Sequence, residues 1–315
     1  GCSVNAINAT DHDWAMGMGQ VMLAPASGWA AALAEVAAAV AAQKDIAAPV
    51  QVADVGAKAK AIAAALIAGE CKAILLGNAA AHHAQASSLL ALAQWIAQHT
   101  GASVGYLTEA ANTVGAQWVG AQPAADGLNA AQMLSGSLKA ALLFNTEPEF
   151  DSAAGSAATE VLAKASMVVT FSPFKANRAF SDVLLPIAPF TETSGTFVNA
   201  EGRIQGFHAV VKPLGETRPG WKVLRVLGNL RDIPDMGWET SQDGLSAIAG
   251  GPAGTVDFVP AARLDNSTQA ALVADTGDVP EPVSASIYQL DGLVRRANAL
   301  QKTADARAEL AGGAA

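Results

Sequence analysis

The densest run of side chains able to do chemistry is Thr191-Glu192-Thr193-Ser194-Gly195-Thr196-Phe197-Val198-Asn199-Ala200-Glu201-Gly202-Arg203-Ile204-Gln205. Glu192, Thr193, Thr196, Asn199, Glu201 and Gln205 bring carboxylates, hydroxyls and carboxamides. Gly195 and Gly202 let backbone approach a ligand closely. Arg203 adds a fixed bidentate donor. Together with backbone amides, such a set suits a polar, multi-ring or phosphate-bearing ligand. A structural alternative stands beside that reading: Glu201 and Arg203 pair internally, while Asn199 and the threonines satisfy turns.

Other chemistries are poorly supplied. Cys2 and Cys71 are the only cysteines. An iron–sulfur cluster usually takes four thiolates, so this chain alone cannot hold one. Asp11-His12-Asp13 suits either a cation or a polar turn. His82 and His83 are neighbours, and adjacent helical residues point about 100° apart. They are therefore expected on a solvated surface rather than around a shared metal. No GxxxxGK[ST], no strand-borne GxGxxG and no GxSxG occurs, so P-loop, dinucleotide-fingerprint and nucleophile-elbow chemistry have no sequence support.

The elements that must position the 191–205 segment alternate. Helices are expected at 29–44, 57–69, 83–100 and 153–165, and a short helical turn at 130–135. Strands are expected at 72–78, 104–107, 140–145, 167–171 and 182–186. Glycines follow two of the helices, Gly69 and Gly101, where a left-handed C′ residue would close them. Strand alternating with helix implies βαβ units and a mostly parallel sheet covered on both faces, the fold class being α/β. Loops at the carboxyl ends of the strands would border any cleft. A smaller, irregular or mixed C-terminal segment follows, with a helix at 221–230, a linker over 232–284 and a terminal helix. That last helix carries Ile287, Leu290, Val294 and Ala297 as an apolar stripe, and leaves Arg295 and Arg296 to pair with acidic groups.

Composition bounds the partners. The 315 residues are 51% hydrophobic and 15% charged, which excludes a disordered chain. Nineteen basic and 28 acidic side chains give a net charge of −9, arguing against nucleic acid or an anionic membrane surface as partner. The longest apolar run, 29–42, is mostly alanine, contains Glu35 and meets Gln43 and Lys44, so no direct membrane insertion is expected. The chain starts Gly1-Cys2-Ser3 and reads as an internal piece of something longer.

The run SDVLLPIAPFTETSGTFVNAEGRIQ, from Ser181 to Gln205, resembles the hallmark segment of the molybdopterin oxidoreductase superfamily. Within it, PLGETRPGWKVLRVLGNL (213–230) and IYQLDGLVRRANALQKT (287–303) are similar to one family in particular. That family is the large peripheral-arm subunit of bacterial NADH-quinone oxidoreductase, respiratory complex I. The resemblance runs from about residue 70 to the C-terminus. It implies that 1–56 belongs to a preceding molybdopterin-like region, 57–220 to a molybdopterin oxidoreductase-like α/β domain, and 221–315 to a C-terminal region with linker and tail helix. It also implies a scaffold supporting electron transfer from NADH to quinone, an enzyme only as part of the complex, with no catalytic or metal-ligating residue here. Iron–sulfur clusters would lie in an N-terminal part absent from this sequence, and no molybdopterin would be bound. Partners would be the other proteins of the peripheral arm, at the cytoplasmic, inner face of the plasma membrane.

Carried over by position, Glu192, Thr193, Gly195, Thr196, Asn199, Glu201, Gly202, Arg203 and Gln205 match the motif that helps form the pterin cleft, here vestigial. Asn145-Thr146 stands where a glycine-containing turn is more usual, which disfavours dinucleotide binding near that strand. The alternative within the superfamily is a catalytic molybdopterin-guanine-dinucleotide oxidoreductase of the formate dehydrogenase or nitrate reductase type. Outside it, an α/β binding module unrelated to redox remains open.

Overall fold

A computed structural model describes residues 2–124, 126–252, 254–275, 277, 279–280, 282–283 and 286–312, with the side chains of 309–312 left aside. The chain divides into two compact units, 1–109 with 264–283, and 110–263 with 284–315. The sequence-read segment 57–220 contributes to both.

In the first unit, β1 (Ala6–Asn8) and β2 (Val21–Leu23) form a short parallel pair, with Ala6 opposite Val21. Sequence periodicity does not reveal these strands, because three residues each leave no pattern to detect. A helix, α1 (Trp29–Lys44), follows and ends at Asp45 in the left-handed region, φ 55°. Alanine forms helix readily because it surrenders no side-chain rotamers. It also lets helices approach closely, and α1 is buried on almost every side. α2 (Ala57–Ala68) starts where the Glu35 carboxylate accepts the Gly56 N–H at 3.1 Å. β3 (Ala73–Leu76), α3 (Asn78–Ala81), α4 (Ala86–Thr100) and β4 (Ser103–Tyr106) complete the unit. The helix expected over 83–100 thus begins three residues later, because His83 is used in the turn before it.

The core of this unit joins Val36, Val40, Ile62 and Ile96 from α1, α2 and α4. A large apolar side chain buried there stabilises by about 1.5–3 kcal/mol. Gly101 closes α4 at φ 77°, as expected, whereas Gly69 is extended at φ −66°. His83 is not on a solvated surface. It is buried, with Nε2 3.2 Å from the Ala26 carbonyl and Nδ1 accepting the Gln85 N–H at 2.9 Å. His82 is half-exposed and pairs with Glu109 at 3.0 Å.

In the second unit, α5 (Thr113–Trp118) and α6 (Ala130–Ser135) precede β5 (Ala140–Phe144). α7 (Pro148–Asp151) and α8 (Ser156–Leu162) lead to β6 (Met167–Ser172) and β7 (Val183–Ala188). β8 (Gly195–Val198) and β9 (Ile204–Phe207) form an antiparallel hairpin. β10 (Arg218–Pro219) then opens α9 (Gly220–Leu230), and α10 (Ser241–Ala249) follows. The tail holds α11 (Gly292–Arg296), α12 (Asn298–Gln301) and α13 (Ala304–Gly312).

One parallel sheet, ordered β10-β7-β6-β5, organises this unit. β6 is its centre, with Val168, Thr170 and Phe171 fully buried. Asp182 fixes the entry to β7, accepting the Val168 N–H at 2.7 Å while its own N–H meets the Val168 carbonyl.

Three expectations are corrected here. The apolar strands are not buried on both faces: Leu142 is 52% and Met167 47% exposed. An all-apolar strand signals burial, but not how many faces are covered within this chain. Residues 232–284 are not all linker, since α10 lies within them. The tail is not one helix: it breaks at Ala297, whose ψ of 89° is not helical, and Ile287 is 69% exposed.

Candidate functional site

The 191–205 segment becomes the β8–β9 hairpin, with Thr196 opposite Gly206 and Phe197 opposite Gln205. Its turn is closed by Asn199, whose side-chain oxygen accepts the N–H groups of Glu201 at 3.1 Å and Arg203 at 2.9 Å. Gly202 sits at φ 83°, a left-handed conformation suited to glycine. Its carbonyl accepts the Val259 N–H at 2.8 Å, and the Ile204 N–H meets the Asp257 carbonyl at 2.9 Å. The hairpin therefore docks the 257–259 segment.

Glu201 and Arg203 form no ion pair with each other among the described residues; the guanidinium stacks 4.5 Å over Phe258 instead. Glu192 accepts the Leu214 N–H at 2.9 Å, and the Thr193 hydroxyl donates to the Ser194 carbonyl at 3.2 Å. Gly195 packs closely under the Phe207 ring, which would have to shift to admit a Cβ that would otherwise lie 2.7 Å from it. Gln205 is exposed. Glu192, Asn199, Gly202 and Arg203 are thus engaged within the protein.

The other side of the hairpin borders an open cleft of about 260 Å³. Ser194, Gly195, Thr196 and Val198 form one wall, and Trp118, Trp221 and Trp238 supply aromatic surface. α10 completes it, capped reciprocally by Thr240 and Asp243: the Thr240 hydroxyl accepts the Asp243 N–H at 3.1 Å, and the carboxylate accepts the Thr240 N–H at 2.8 Å. These bonds hold the Asp243 carboxyl below the usual range, the Thr240 backbone N–H contributing most. The Ser194 and Ser241 hydroxyls meet at 2.9 Å. Next to the hairpin, Asn112 accepts the Val198 N–H at 2.8 Å.

Sequence reasoning missed the tryptophans and α10. The Thr240-x-x-Asp243 spacing was the available signal for the helix; nothing in sequence brings Trp118, Trp221 and Trp238 together.

Among the described residues no charged side chain lines this cleft. A pyrophosphate draws its binding from guanidinium or ammonium groups and convergent backbone amides. Indole faces and hydroxyls suit a neutral or apolar guest instead. In the loop after β5, Asn145 takes the left-handed conformation, φ 52°, which asparagine adopts more readily than most non-glycine residues. Among the described residues no group of three or more His, Cys, Asp or Glu side chains could hold a metal. His12 lies 3.0 Å from the Thr10 hydroxyl. No described helix is long and apolar enough to cross a membrane.

Residues 49–230, more than half of the chain, match the molybdopterin oxidoreductase family. This chain belongs to that family. Its mixed α/β architecture with parallel sheets agrees with a molybdopterin oxidoreductase-like domain. Among curated relatives, a putative formate dehydrogenase of Staphylococcus aureus (strain bovine RF122 / ET3-1) is 48% identical over 50 residues, 16% of this chain and 5% of that protein. The mitochondrial NADH-ubiquinone oxidoreductase 78 kDa subunit of Candida albicans is 49% identical over 49 residues, 16% of this chain and 7% of that protein. A probable oxidoreductase of Bacillus subtilis, YjgC, is 46% identical over 50 residues, 16% of this chain and 5% of that protein. The matches to this molybdopterin oxidoreductase-family chain therefore span a small fraction of each relative's length.

Proposed function

We propose that this chain is the C-terminal scaffold part of the large peripheral-arm subunit of NADH-quinone oxidoreductase. In this reading it supports electron transfer from NADH to quinone without a redox centre of its own. The observation that carries it is the use of the hallmark side chains. Glu192, Asn199 and Arg203 bond or stack within the protein, and among the described residues the cleft beside them has no cation to hold a pyrophosphate. The motif then serves as a docking hairpin rather than a cofactor cradle. The tail similarity over 287–303 supports the narrower assignment. The other proteins of the peripheral arm would be its partners, on the inner face of the plasma membrane, with iron–sulfur clusters in the N-terminal part of the full-length chain and no molybdopterin.

A second reading is favoured by one observation, the 48% identity to a putative formate dehydrogenase. It makes the chain part of a catalytic molybdopterin-guanine-dinucleotide oxidoreductase. Elemental and pterin analysis of the purified full-length protein separates the two. The scaffold reading expects iron without stoichiometric molybdenum, tungsten or pterin; finding them at one per chain sinks it.

A further inference from the structure

A second constellation lies away from the hairpin, where the tail meets the loops after β5 and β6. Glu147 follows β5, and its side chain is only 11% exposed. Both of its oxygens are taken by Arg296: Nη1 donates to Oε1 at 2.8 Å and Nη2 to Oε2 at 3.0 Å. The same guanidinium lies 4.1 Å over the Phe174 ring, beyond the end of β6. Arg295, 7% exposed, donates to Asp151 at 2.8 Å and lies 5.0 Å from the Phe150 ring centre. Two carboxylates and two aromatic faces thus receive two consecutive guanidinium groups.

Each side of this contact also carries hydrogen bonds of its own. On the receiving side, the second Asp151 oxygen accepts the Glu147 N–H at 2.7 Å, and Asn177 donates to the Thr146 carbonyl at 3.0 Å. On the tail side, Asp291 accepts the N–H groups of Leu293 and Val294, and Gln301 donates to the carbonyls of Tyr288 and Val294, each at 2.9 Å. Gly292 is the contact point. A Cβ there would fall 3.1 Å from Glu147 Oε1 and 3.4 Å from Phe174. The geometry is selective: a planar fork matches both carboxylate oxygens while stacking on a ring, and an ammonium cannot do both.

We propose that Glu147, Asp151, Phe150 and Phe174 form a guanidinium-recognition site, which the chain fills in cis with Arg295 and Arg296. Its ligand class is a planar guanidinium, presented as an Arg-Arg pair. Neither reading of the cleft depends on this site.

Hydrogen exchange on the full chain tests it. In Arg296→Ala, the Leu293 and Val294 amides should exchange at least about tenfold faster than in the wild type, since the buried Glu147 carboxylate loses its bidentate partner and keeps only the 3.5 Å contact to Arg295. Millimolar methylguanidinium should restore protection saturably, and methylammonium at the same concentration should not. The double variant Glu147→Gln/Arg296→Ala should lose that restoration. Unchanged protection in Arg296→Ala, no restoration, or equal restoration by both cations would overturn the proposal. Should Arg296→Ala not fold, Arg296→Lys keeps the charge without the fork. The same loss of protection is expected there, and wild-type protection refutes the site.

Discussion

Replacing Gly115 by alanine pits two effects of known sign against each other. In isolation the change favours α5, because glycine costs about 1 kcal/mol relative to alanine inside a helix. Here the new Cβ would stand 2.1 Å from the Asn112 side-chain oxygen and 2.8 Å from its Cγ. That carboxamide must swing away, and it is the acceptor for the Val198 N–H at 2.8 Å. Val198 is 2% exposed, so its N–H has no ready water to turn to. A buried donor left unsatisfied costs about 1–3 kcal/mol. Gly115→Ala should therefore destabilise by about 1 kcal/mol net, and Asn112→Ala by about 1–3 kcal/mol. In the Asn112→Ala background the clash is gone, and Gly115→Ala should stabilise by about 0.5–1 kcal/mol. Urea midpoints of the four proteins at constant m give the coupling, and exchange of the Val198 amide reports the bond directly. Additivity within about 0.5 kcal/mol, the behaviour of independent sites, would refute the linkage between α5 and the hairpin.

Two further perturbations test burial and capping. Leu92→Ala, at a fully buried position, should cost about 2–5 kcal/mol, whereas Leu142→Ala, 52% exposed, should stay within about 0.5 kcal/mol. Comparable losses in urea titrations would mean that the β5 face is covered after all. The Asp243 carboxyl is held below its ordinary value, so its contribution to α10 is complete above the unfolded pKa, near 4. It is lost as pH falls through the lower folded value; Asp243→Asn should abolish that acid-limb change in exchange at α10, and an unchanged limb argues against the cap.

Much of the fold was legible because it rests on patterns that local physics writes into the chain. α1 appears at 29–44 since an alanine run bounded by a polar end has one regular structure available. β5, β6 and β7 appear as apolar runs bounded by turns, and Arg295 and Arg296 meet carboxylates as their charge requires. What failed depends on contacts remote in sequence. The exposure of Leu142 turns on what covers the other sheet face. The fate of Arg203 turned on Phe258, more than fifty residues away, rather than on Glu201 two residues before it. The tail's apolar spacing suggested a single helix, but Gln289, Gln301 and Asp291 close shorter turns around the arginine pair. At the site, sequence located the wall made by Ser194 to Val198 but not the indoles that face it.

The alanine-built core of the first unit constrains how this chain can drift. Ala30, Ala34, Ala37, Ala59 and Ala63 are fully buried, where α1 meets its neighbours through single methyl groups. Such a contact costs no rotamer entropy, but it leaves no side chain able to swing aside. Enlarging any of these residues pushes backbone against backbone, and overpacking typically costs about 1–3 kcal/mol. Shrinking one to glycine removes a buried methyl group and costs about 1 kcal/mol of helix propensity besides. This core therefore resists single changes in either direction, and a neutral path to a bulkier core requires paired changes on facing helices rather than single steps.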